Sequence, residues 1–368
     1  MKITAVRFGM LRAPLRTPFK TALRTVEQVE DVVFMIDTDS DHVGYGSAPA
    51  TEAITGDTHS SIVAALRNHI APRLLGQDIA DLDHVTALIQ GAVAGNGNAK
   101  AAAEIAAHDL WGQLHGEPLY KLLGGGTPRL TTDITISVDT IDKMVADAID
   151  AVERGFVALK VKLGKDADED IARCKAIHSA VSNHALLRLD ANQGWTATQA
   201  VHVLRTLEAA GIEPELIEQP VKANDLTGLK YVCEHVHTPV MADESVFDAE
   251  QALRLIDMRA ADIVNIKLMK AGGISPALQI ADVCERHETE CMIGCMLESS
   301  IGVSAAVHLA VARSTVIRKV DLDVPMLCHF DPVHGNVRFD GAAIEIDDAP
   351  GLGIRSIEGL QPLPPHLA

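Results

Sequence analysis

The chain has 368 residues, of which 47% are hydrophobic and 22% charged, a composition typical of a folded globular protein and not of a disordered chain. Its formal net charge is −18, because 50 Asp and Glu residues outweigh 32 Lys and Arg residues, and only 3% of the residues are aromatic. These values exclude nucleic acid and an anionic membrane surface as expected partners, since an acidic protein with few aromatic rings neither attracts phosphates nor stacks on bases.

The cysteines and the N-terminal residues bear on location. The six cysteines are scattered and form no CxxC pair, which is typical of reduced thiols in a cytoplasmic protein. Lys2, Arg7, Arg12 and Arg16 interrupt the apolar residues at the N-terminus, so no secretory signal is predicted. The most apolar later stretch, residues 301–312, is too short to cross a bilayer. We therefore expect a cytoplasmic protein.

The first part of the chain, residues 1–123, predicts an α+β unit. Two strand-like runs and a third strand near Gly44 are expected to form an antiparallel sheet, and helical periodicity follows in three stretches. The predicted strands are residues 2–12 and 29–37, and the predicted helices are residues 58–74, 82–92 and 98–114. The segment GGGTP at residues 124–128 interrupts the pattern and predicts a domain boundary.

Residues 124–324 alternate strand and helix patterns in a way that predicts a β/α barrel. From Lys162 onward, short apolar runs end every 24–28 residues, which is the length of one strand, one helix and two loops. The runs end near Val138, Lys162, Asp190, Glu218, Asp243, Lys267, Ile293 and Asp321. An open, doubly wound sheet is the alternative, but eight nearly equal units close more naturally into a barrel. Residues 325–368, rich in Pro and Gly, are expected to pack back on the first domain.

Two lysines mark the second predicted barrel strand, which ends in Lys160, Val161 and Lys162. Because side chains alternate along a strand, both lysines should project to the same side, into the mouth of the barrel where barrel enzymes place their chemistry. Repulsion between two ammonium groups should lower the pKa of at least one of them. The alternative is a pair of solvated lysines at the rim.

Three successive predicted strands each end in a carboxylate, namely Asp190, Glu218 and Asp243. Neighbouring strands lie about 4.8 Å apart, so these charges repel one another unless a cation neutralises them. Three oxygen ligands with remaining positions for water or substrate suit Mg²⁺. A single such residue often only caps the following helix, but three at successive strand ends favour a metal site. Asn192 and Glu244 are adjacent candidates for supporting the ligands.

The sixth predicted strand ends in Lys267, four strands after Lys162. Four strands are half of an eight-stranded ring, so the two lysines should face each other across the mouth, beside the metal. This arrangement suits removal of the proton next to a carboxylate, because one lysine takes the proton, the cation stabilises the enediolate and the other lysine supplies a proton to the opposite face. The residues therefore predict a racemase or epimerase.

With these motifs the chain resembles the muconate-lactonizing-enzyme subgroup of the enolase superfamily along nearly its whole length. The resemblance implies an α/β fold, a modified TIM barrel of the (β/α)7β type with an α+β N-terminal capping domain that the C-terminal segment completes. It also implies that Lys162 and Lys267 are the acid/base pair and that Lys160 contacts the substrate carboxylate. The implied ligands of one Mg²⁺ per subunit are Asp190, Glu218 and Asp243.

Two further segments resemble the dipeptide epimerases of this subgroup. Asp321 and Asp323, after the eighth predicted strand, match a DxD motif that binds the N-terminal ammonium group of the substrate. Arg24, in the early loop PFKTALRT, matches an arginine that faces the side-chain carboxylate of a C-terminal Glu. The alternatives are a strand-end cap and a surface arginine. Thr135, Cys295 and Met296 are expected to line the same pocket.

The resemblance therefore implies a Mg²⁺-dependent epimerase of small dipeptides, with L-Ala-L-Glu and L-Ala-D-Glu as the expected substrates, and we expect a homo-oligomer. An N-acylamino acid racemase or o-succinylbenzoate synthase would use the same lysines and metal, but an acylated substrate offers no ammonium group to the DxD motif. A catalytically silent, ligand-binding barrel should have lost lysines or ligands, and none is missing from the sequence. A phosphate site at Gly272 and Gly273 is disfavoured, since this turn does not follow the seventh or eighth strand.

Overall fold

A long hairpin opens the chain and reaches the barrel. The computed structural model describes residues 1–21, 25–164, 166–181, 184–335 and 337–367. The hairpin consists of β1 (Ile3–Lys20) and β2 (Thr25–Thr38), and β3 (Val43–Pro49) pairs with β2 to give an antiparallel sheet. Both hairpin strands extend beyond the predicted residues 2–12 and 29–37.

The far end of the hairpin packs on the barrel. This packing explains why the sequence pattern did not predict the full length of the two strands. Leu15 and Val29 are buried in one cluster with Leu297 and Val324. The pairing of β1 with β2 is also irregular after Pro14, whose ring nitrogen has no N–H to donate. At this end of the hairpin, residues distant in sequence bury the side chains. The regular alternation of apolar and polar residues that predicts a strand is therefore weaker there.

The helices of the capping domain pack on this sheet. They are α1 (His59–Ala65), a π-helical turn (Leu66–Ile70), α2 (Ala71–Leu74), α3 (Leu82–Gln90), α4 (Gly97–His115) and α5 (Leu119–Leu122), and β4 (Arg129–Thr131) follows them. Helix α1 begins after Thr58, whose side chain accepts the N–H of Ser61. Helix α4 is rich in alanine and buried on nearly all sides, because it contacts the sheet and also the barrel. It therefore joins the two domains.

Parallel strands form the barrel. In the part of the chain that the structure describes, eight strands make one sheet whose order follows the sequence. They are β5 (Ile134–Ile136), β6 (Ala158–Lys162), β7 (Leu186–Asp190), β8 (Leu216–Glu218), β9 (Val240–Ala242), β10 (Ile263–Lys267), β11 (Glu290–Gly294) and β12 (Ile317–Asp321). The register places Lys162 beside Asp190, and Asp190 beside Glu218. The predicted polar strand ends therefore meet at one level of the mouth.

The first and last barrel strands, β5 and β12, approach each other and nearly close the barrel. The N–H of Asp133 donates to the carbonyl of Val320 at 3.3 Å. The buried guanidinium of Arg188 donates to Oδ2 of Asp133 at 2.8 Å and to the carbonyl of Val320 at 3.0 Å. Burial opposes the charge of Arg188, but Asp133 and Glu215 outweigh burial and raise its pKa. These contacts link β7 to the start of β5 and to β12, at the position of Arg188, which precedes Asp190 by two residues.

Seven helical connections join the eight described strands, and the chain leaves β12 through a single short helical turn, as far as the described residues show. The helices are α6 (Ile141–Glu153), α7 (Ala167–Val181), α8 (Ala197–Ala209), α9 (Leu226–His235), α10 (Ala249–Met258), the pair α11 (Leu268–Ala271) and α12 (Ile274–Arg286), α13 (Ser300–Ala312) and the final turn α14 (Val324–Leu327). This arrangement confirms the predicted (β/α)7β barrel.

The C-terminal segment contacts both domains. Its strands are β13 (Val333–His334), β14 (Val337–Asp340), β15 (Ala343–Ile346) and β16 (Ser356–Ile357). Strand β15 pairs with β14 and β4, while Gln361 pairs with Met10 and Cys328 with Leu15 of the hairpin. Among the described residues, no helix has both the length and the apolar character needed to span a membrane.

Candidate active site

Five neighbouring strand ends bring lysines and carboxylates into one buried cluster. Lys162, Asp190, Glu218 and Lys267 end β6, β7, β8 and β10, and Asp243 follows β9. Nζ of Lys162 lies 2.6 Å from Oδ2 of Asp190, and Nζ of Lys267 lies 2.7 Å from Oδ2 of Asp243. The three carboxylates therefore form an arc with one lysine at each end.

Lys160 lies between this arc and the last barrel strand. Its Nζ is 2.6 Å from Oδ2 of Asp321, 2.7 Å from Oε2 of Glu218 and 3.4 Å from Oδ2 of Asp190. Burial opposes the ammonium charge, but these carboxylates outweigh burial and raise the pKa of Lys160 well above its usual value. The predicted lowering of a lysine pKa is therefore wrong for Lys160, because its nearest charges are carboxylates.

Two lysines hold Asp243. Oδ2 of Asp243 accepts from Lys267, and Nζ of Lys270 lies 2.6 Å from Oδ1 and donates to the carbonyls of Asp243 and Asn265. Burial favours a neutral Asp243, but Lys267 and Lys270 outweigh burial and hold its pKa well below the usual range. Burial likewise opposes the charge of Lys267, while Asp243 and Glu218 outweigh it and raise the Lys267 pKa.

Buried oxygens of this cluster offer ligands for a divalent cation. Among the described residues, four such oxygens have no hydrogen-bond partner: both carboxylate oxygens of Glu244 and the amide oxygens of Asn192 and Asn265. Oε2 of Glu218 and Oδ1 of Asp243 also lack a hydrogen bond of good geometry, although the ammonium groups of Lys160 and Lys270 contact them. Within the described ranges, no group of three or more Asp, Glu, His or Cys side chains is arranged as a preformed metal site. Lysine ammonium groups contact the carboxylates in this structure. Carboxylate and amide oxygens are what Mg²⁺ prefers, so the donor set fits this ion.

Burial of the acidic side chains, together with their mutual repulsion, also favours a cation. Burial, followed by the charge of Asp190, raises the pKa of Glu218 to about 7. Burial, followed by the charge of Asp243, raises the pKa of Glu244 to about 8. A divalent cation beside these groups would stabilise their ionised forms.

Asp321 and Asp323 lie at the end of β12, on the opposite side of Lys160 from the arc. Burial favours a neutral Asp321, but Lys160 and Lys162 outweigh burial and lower its pKa to about 2. Oδ2 of Asp323 accepts the N–H of Thr135 at 2.7 Å. Burial, followed by the charge of Asp321, raises the pKa of Asp323 to about 6. Two buried carboxylates at one edge of the mouth suit a cationic ligand group.

One cavity at the mouth brings together most of the predicted site residues. Its described lining includes Thr135, Lys160, Lys162, Asp243, Lys267, Cys295, Met296, Asp321 and Asp323. Asp190 and Glu218 contact lysines of this lining. Phe19 of the hairpin also lines the cavity, with its ring centroid 5.8 Å from Nζ of Lys162. Arg24 lies outside the residues that the structure describes.

Two members of the cluster, Asn265 and Lys270, were not among the predicted site residues. Nδ2 of Asn265 donates to Oε1 of Glu218 at 2.9 Å. Asn265 shares a strand face with Lys267, two residues later, so the alternation of side chains was a usable signal. Lys270 gave no comparable signal, because it lies on the four-residue helix α11, whose direction is set by packing.

Comparison with known proteins identifies the family. The model of the mandelate racemase / muconate lactonizing enzyme N-terminal domain matches residues 3–124, and that of the enolase C-terminal domain-like family matches residues 143–358. The L-Ala-D/L-Glu epimerase of Clostridium acetobutylicum is 48% identical and covers 97% of this chain and 99% of its own.

Two solved structures share the architecture. The substrate-liganded L-Ala-D/L-Glu epimerase from Bacillus subtilis has a TM-score of 0.95 at 44% identity and covers 97% of this chain and 99% of its own. The dipeptide epimerase from Enterococcus faecalis V583, complexed with Mg and the dipeptide L-Leu-L-Tyr, has a TM-score of 0.93 at 41% identity and covers 97% of this chain and 100% of its own. The chain therefore belongs to the mandelate racemase and muconate lactonizing enzyme family of the enolase superfamily.

Proposed function

We propose that the protein is a Mg²⁺-dependent dipeptide epimerase that inverts the α-carbon of the C-terminal residue of its substrate. The observation that carries this proposal is the placement of Lys162 and Lys267 at opposite ends of one carboxylate arc, where both line one cavity. The similar proteins of Clostridium acetobutylicum and Bacillus subtilis are L-Ala-D/L-Glu epimerases. L-Ala-L-Glu and L-Ala-D-Glu are therefore the proposed substrates.

Asp190, Glu218 and Asp243 would hold the metal ion through their buried carboxylate oxygens. When bound, Mg²⁺ supplies a Lewis acid that stabilises negative charge on the substrate carboxylate. Asn265 would orient one ligand, since its Nδ2 already donates to Oε1 of Glu218. Glu244, with both carboxylate oxygens buried and without a hydrogen-bond partner among the described residues, is placed to support the same site. The similar Enterococcus faecalis structure contains Mg, which supports the choice of ion.

Lys162 and Lys267 would act on opposite faces of the α-carbon. One lysine, in its neutral form, removes the α-proton, and the electron pair of the broken C–H bond passes into the enediolate of the substrate. The other lysine, as an ammonium group, gives a proton to the opposite face and forms the new C–H bond. One proton leaves and one proton arrives, so the configuration inverts while the composition of the dipeptide is unchanged.

The two ends of the dipeptide would bind to groups of opposite charge. Asp321 and Asp323 would accept hydrogen bonds from the N-terminal ammonium group, because both are buried at the same edge of the cavity. Lys160 lies between these residues and the carboxylate arc, so it is placed to contact the substrate carboxylate. This polarity fixes which residue of the dipeptide presents its α-carbon to the lysines.

Deuterium exchange tests the reaction directly. We expect the protein, incubated in D₂O with Mg²⁺ and L-Ala-L-Glu, to incorporate deuterium at the α-carbon of Glu while L-Ala-D-Glu forms, as followed by proton NMR and mass spectrometry. Removal of Mg²⁺ with a chelator should stop both processes. Absence of exchange from every member of a dipeptide library would contradict the proposal and favour a catalytically silent, ligand-binding barrel.

A racemase of N-acylamino acids is the second candidate, because it would use the same lysines and metal. Asp321 and Asp323 separate the two functions, since an acylated substrate has no ammonium group. We expect the double variant Asp321→Asn/Asp323→Asn to lose dipeptide turnover by about 100-fold or more through KM and kcat together. Undiminished turnover of dipeptides would contradict the assignment of these residues.

We also propose a homo-oligomer that works in the cytoplasm. Support for a reducing location comes from the cysteines, which are all free. Size-exclusion chromatography with light scattering tests the assembly, and a monomer at micromolar concentration would contradict it.

A further inference from the structure

The segment that begins at Lys267 is a tight turn that carries two lysines of the cluster, Lys267 and Lys270. Lys267 ends β10, α11 follows at once, and Gly272 and Gly273 lead into α12. The N–H groups of Gly272 and Gly273 both donate to the carbonyl of Leu268, at 2.8 and 3.0 Å. We call residues 267–275 the lysine turn. The turn begins at Lys267, the last residue of β10, which is also paired with Gly294 of β11, so a shift of the turn would act on the backbone of this lysine.

The capping domain holds this turn through a buried carboxylate. Glu104, on α4, is fully buried, and its Oε2 accepts the N–H of Ser275 at 2.8 Å. Its Oε1 accepts from Nε2 of Gln90 at 2.8 Å, and the same amide nitrogen donates to the carbonyl of Gly272 at 2.8 Å. The carboxylate also lies at the N-terminus of the 13-residue helix α12, where the helix dipole favours a negative charge.

Two glycines show how closely the domains approach at this point. A Cβ atom at Gly97, the first residue of α4, would lie 2.6 Å from the carbonyl oxygen of Met269 in the lysine turn. A Cβ atom at Gly273 would lie 2.5 Å from Oε2 of Glu104, and the φ angle of Gly273 is +135°. Neither position has room for a side chain, so the capping domain packs directly against the turn.

The other base is held differently. After Lys162, the N–H of Leu163 donates to the carbonyl of Asp190, and the N–H of Gly164 donates to Oδ2 of Asp170 at 2.9 Å. These partners belong to the barrel itself. Strand pairing holds both lysines in the barrel, but their further support is unequal. The side chains of Glu104 and Gln90 hydrogen-bond to the segment that follows Lys267 and, so far as the described residues show, not to the segment that follows Lys162.

We propose that Glu104, together with Gln90, is a positioning residue that lets the capping domain set the location of Lys267 and not that of Lys162. The proposal rests on the two-base epimerase function. Loss of the Glu104 side chain leaves the N–H of Ser275 without this acceptor and would let the turn shift. A shift of about 1 Å in a catalytic group can lower a rate about 100-fold. The expected defect is therefore confined to one base.

Exchange of the α-proton without epimerisation separates the bases, because a diastereomer can lose its proton to one lysine and regain deuterium from the same lysine. The variants Lys162→Ala and Lys267→Ala first identify the diastereomer that each lysine serves. We then expect Glu104→Ala to slow exchange of the Lys267-dependent diastereomer about 10- to 100-fold and that of the other less than about 3-fold. Epimerisation should fall equally in both directions, since each turnover uses both bases.

A matched control exists on the same helix. Asp109 is also a buried acid of α4, but its carboxylate accepts the N–H groups of Tyr45 and Leu352, which lie away from the lysine turn. We expect Asp109→Asn to change the exchange ratio of the two diastereomers less than about 2-fold, even where thermal stability falls as much as in Glu104→Ala.

Gln90→Ala gives a second, milder test, because it removes the bonds to Glu104 and Gly272 and leaves α4 intact. It should shift the exchange ratio in the same direction as Glu104→Ala. If Glu104→Ala does not fold, the exchange ratio of Gln90→Ala tests the positioning role by itself. Equal losses for both diastereomers, or a wild-type ratio in Gln90→Ala, would overturn the inference. If wild-type protein exchanges neither diastereomer of any dipeptide, the proposed function itself is wrong.

Discussion

Lys160 and Asp321 form a buried ion pair with 2.6 Å between Nζ and Oδ2, and the same ammonium group lies 2.7 Å from Oε2 of Glu218. This lysine joins the proposed ammonium site of the substrate to the proposed metal site. Each of those sites is proposed to take a cationic group, so the charge of Lys160 affects both.

Replacement of Lys160 tests this coupling. We expect Lys160→Met to lower turnover about 100-fold or more, because the substrate carboxylate loses its counter-charge. We also expect it to tighten Mg²⁺ binding severalfold, because a like charge no longer lies beside Glu218 and Asp190. Isothermal titration with Mg²⁺, without dipeptide, measures the second effect. Lys121→Met, at an exposed site on α5, is the control, and unchanged Mg²⁺ affinity in Lys160→Met would refute the coupling.

The two bases should fail separately. We expect Lys162→Ala and Lys267→Ala each to reduce epimerisation about 1,000-fold or more, since each turnover needs both side chains. Each variant should keep exchange of the diastereomer that the remaining lysine serves, measured by NMR in D₂O. Full epimerisation by either variant would exclude a two-base mechanism.

Lys270 should matter for stability as well as for the site. Its Nζ contacts Oδ1 of Asp243 and the carbonyls of Asp243 and Asn265, and the side chain is almost completely buried. We expect Lys270→Met to lower the free energy of unfolding by about 3 kcal/mol, because a buried carboxylate loses a partner. Saturating Mg²⁺ should restore part of the loss in urea denaturation. Lys175→Met, at an exposed site on α7, is the control, and an equal stability of both variants would count against this role.

His308 should give stability a pH dependence. The ring is fully buried on α13, its Nδ1 accepts the N–H of Tyr120 at 3.0 Å, and burial lowers its pKa from 6.5 to about 3. The unfolded chain therefore binds a proton first as the pH falls. This contribution to stability is present above pH 6.5 and is lost as the pH falls toward the folded pKa.

The variant His308→Gln isolates that effect, because glutamine retains an acceptor but does not titrate. Between pH 6.5 and 4.5, we expect the wild-type free energy of unfolding to fall about 2–3 kcal/mol more than that of the variant. Urea denaturation at the two pH values measures the difference. Parallel pH profiles would show that His308 does not set this dependence.

Arg24 should determine the preference for Glu. By its resemblance to the arginine of Ala-Glu epimerases, it would pair with the side-chain carboxylate of the substrate. We expect Arg24→Met to lower kcat/KM for L-Ala-L-Glu about 100-fold while L-Ala-L-Met changes less than about 3-fold. Equal losses with both dipeptides would show that Arg24 does not recognise the carboxylate.

The barrel and the central cluster could be predicted from local patterns. Asp190, Glu218, Asp243 and the lysines at positions 162 and 267 each close an apolar run, and parallel strands end at one edge of a sheet. A residue at a strand end therefore has a known location before the fold is seen. The raised pKa of Lys160 could not be predicted in this way. The pattern along one strand shows that Lys162 is near Lys160, but it does not show that Asp321 of another strand contacts Lys160.

Distant contacts account for what the sequence left undecided. The length of the hairpin depends on the burial of Leu15 against Leu297, and the location of Lys270 depends on how α11 packs. Glu104 meets Ser275 across 171 residues of sequence, at a place where two glycines let the domains touch. Periodicity specifies which side chains face inward along each element. Only packing between elements brings particular side chains together, because their separation in space does not follow from their separation along the chain.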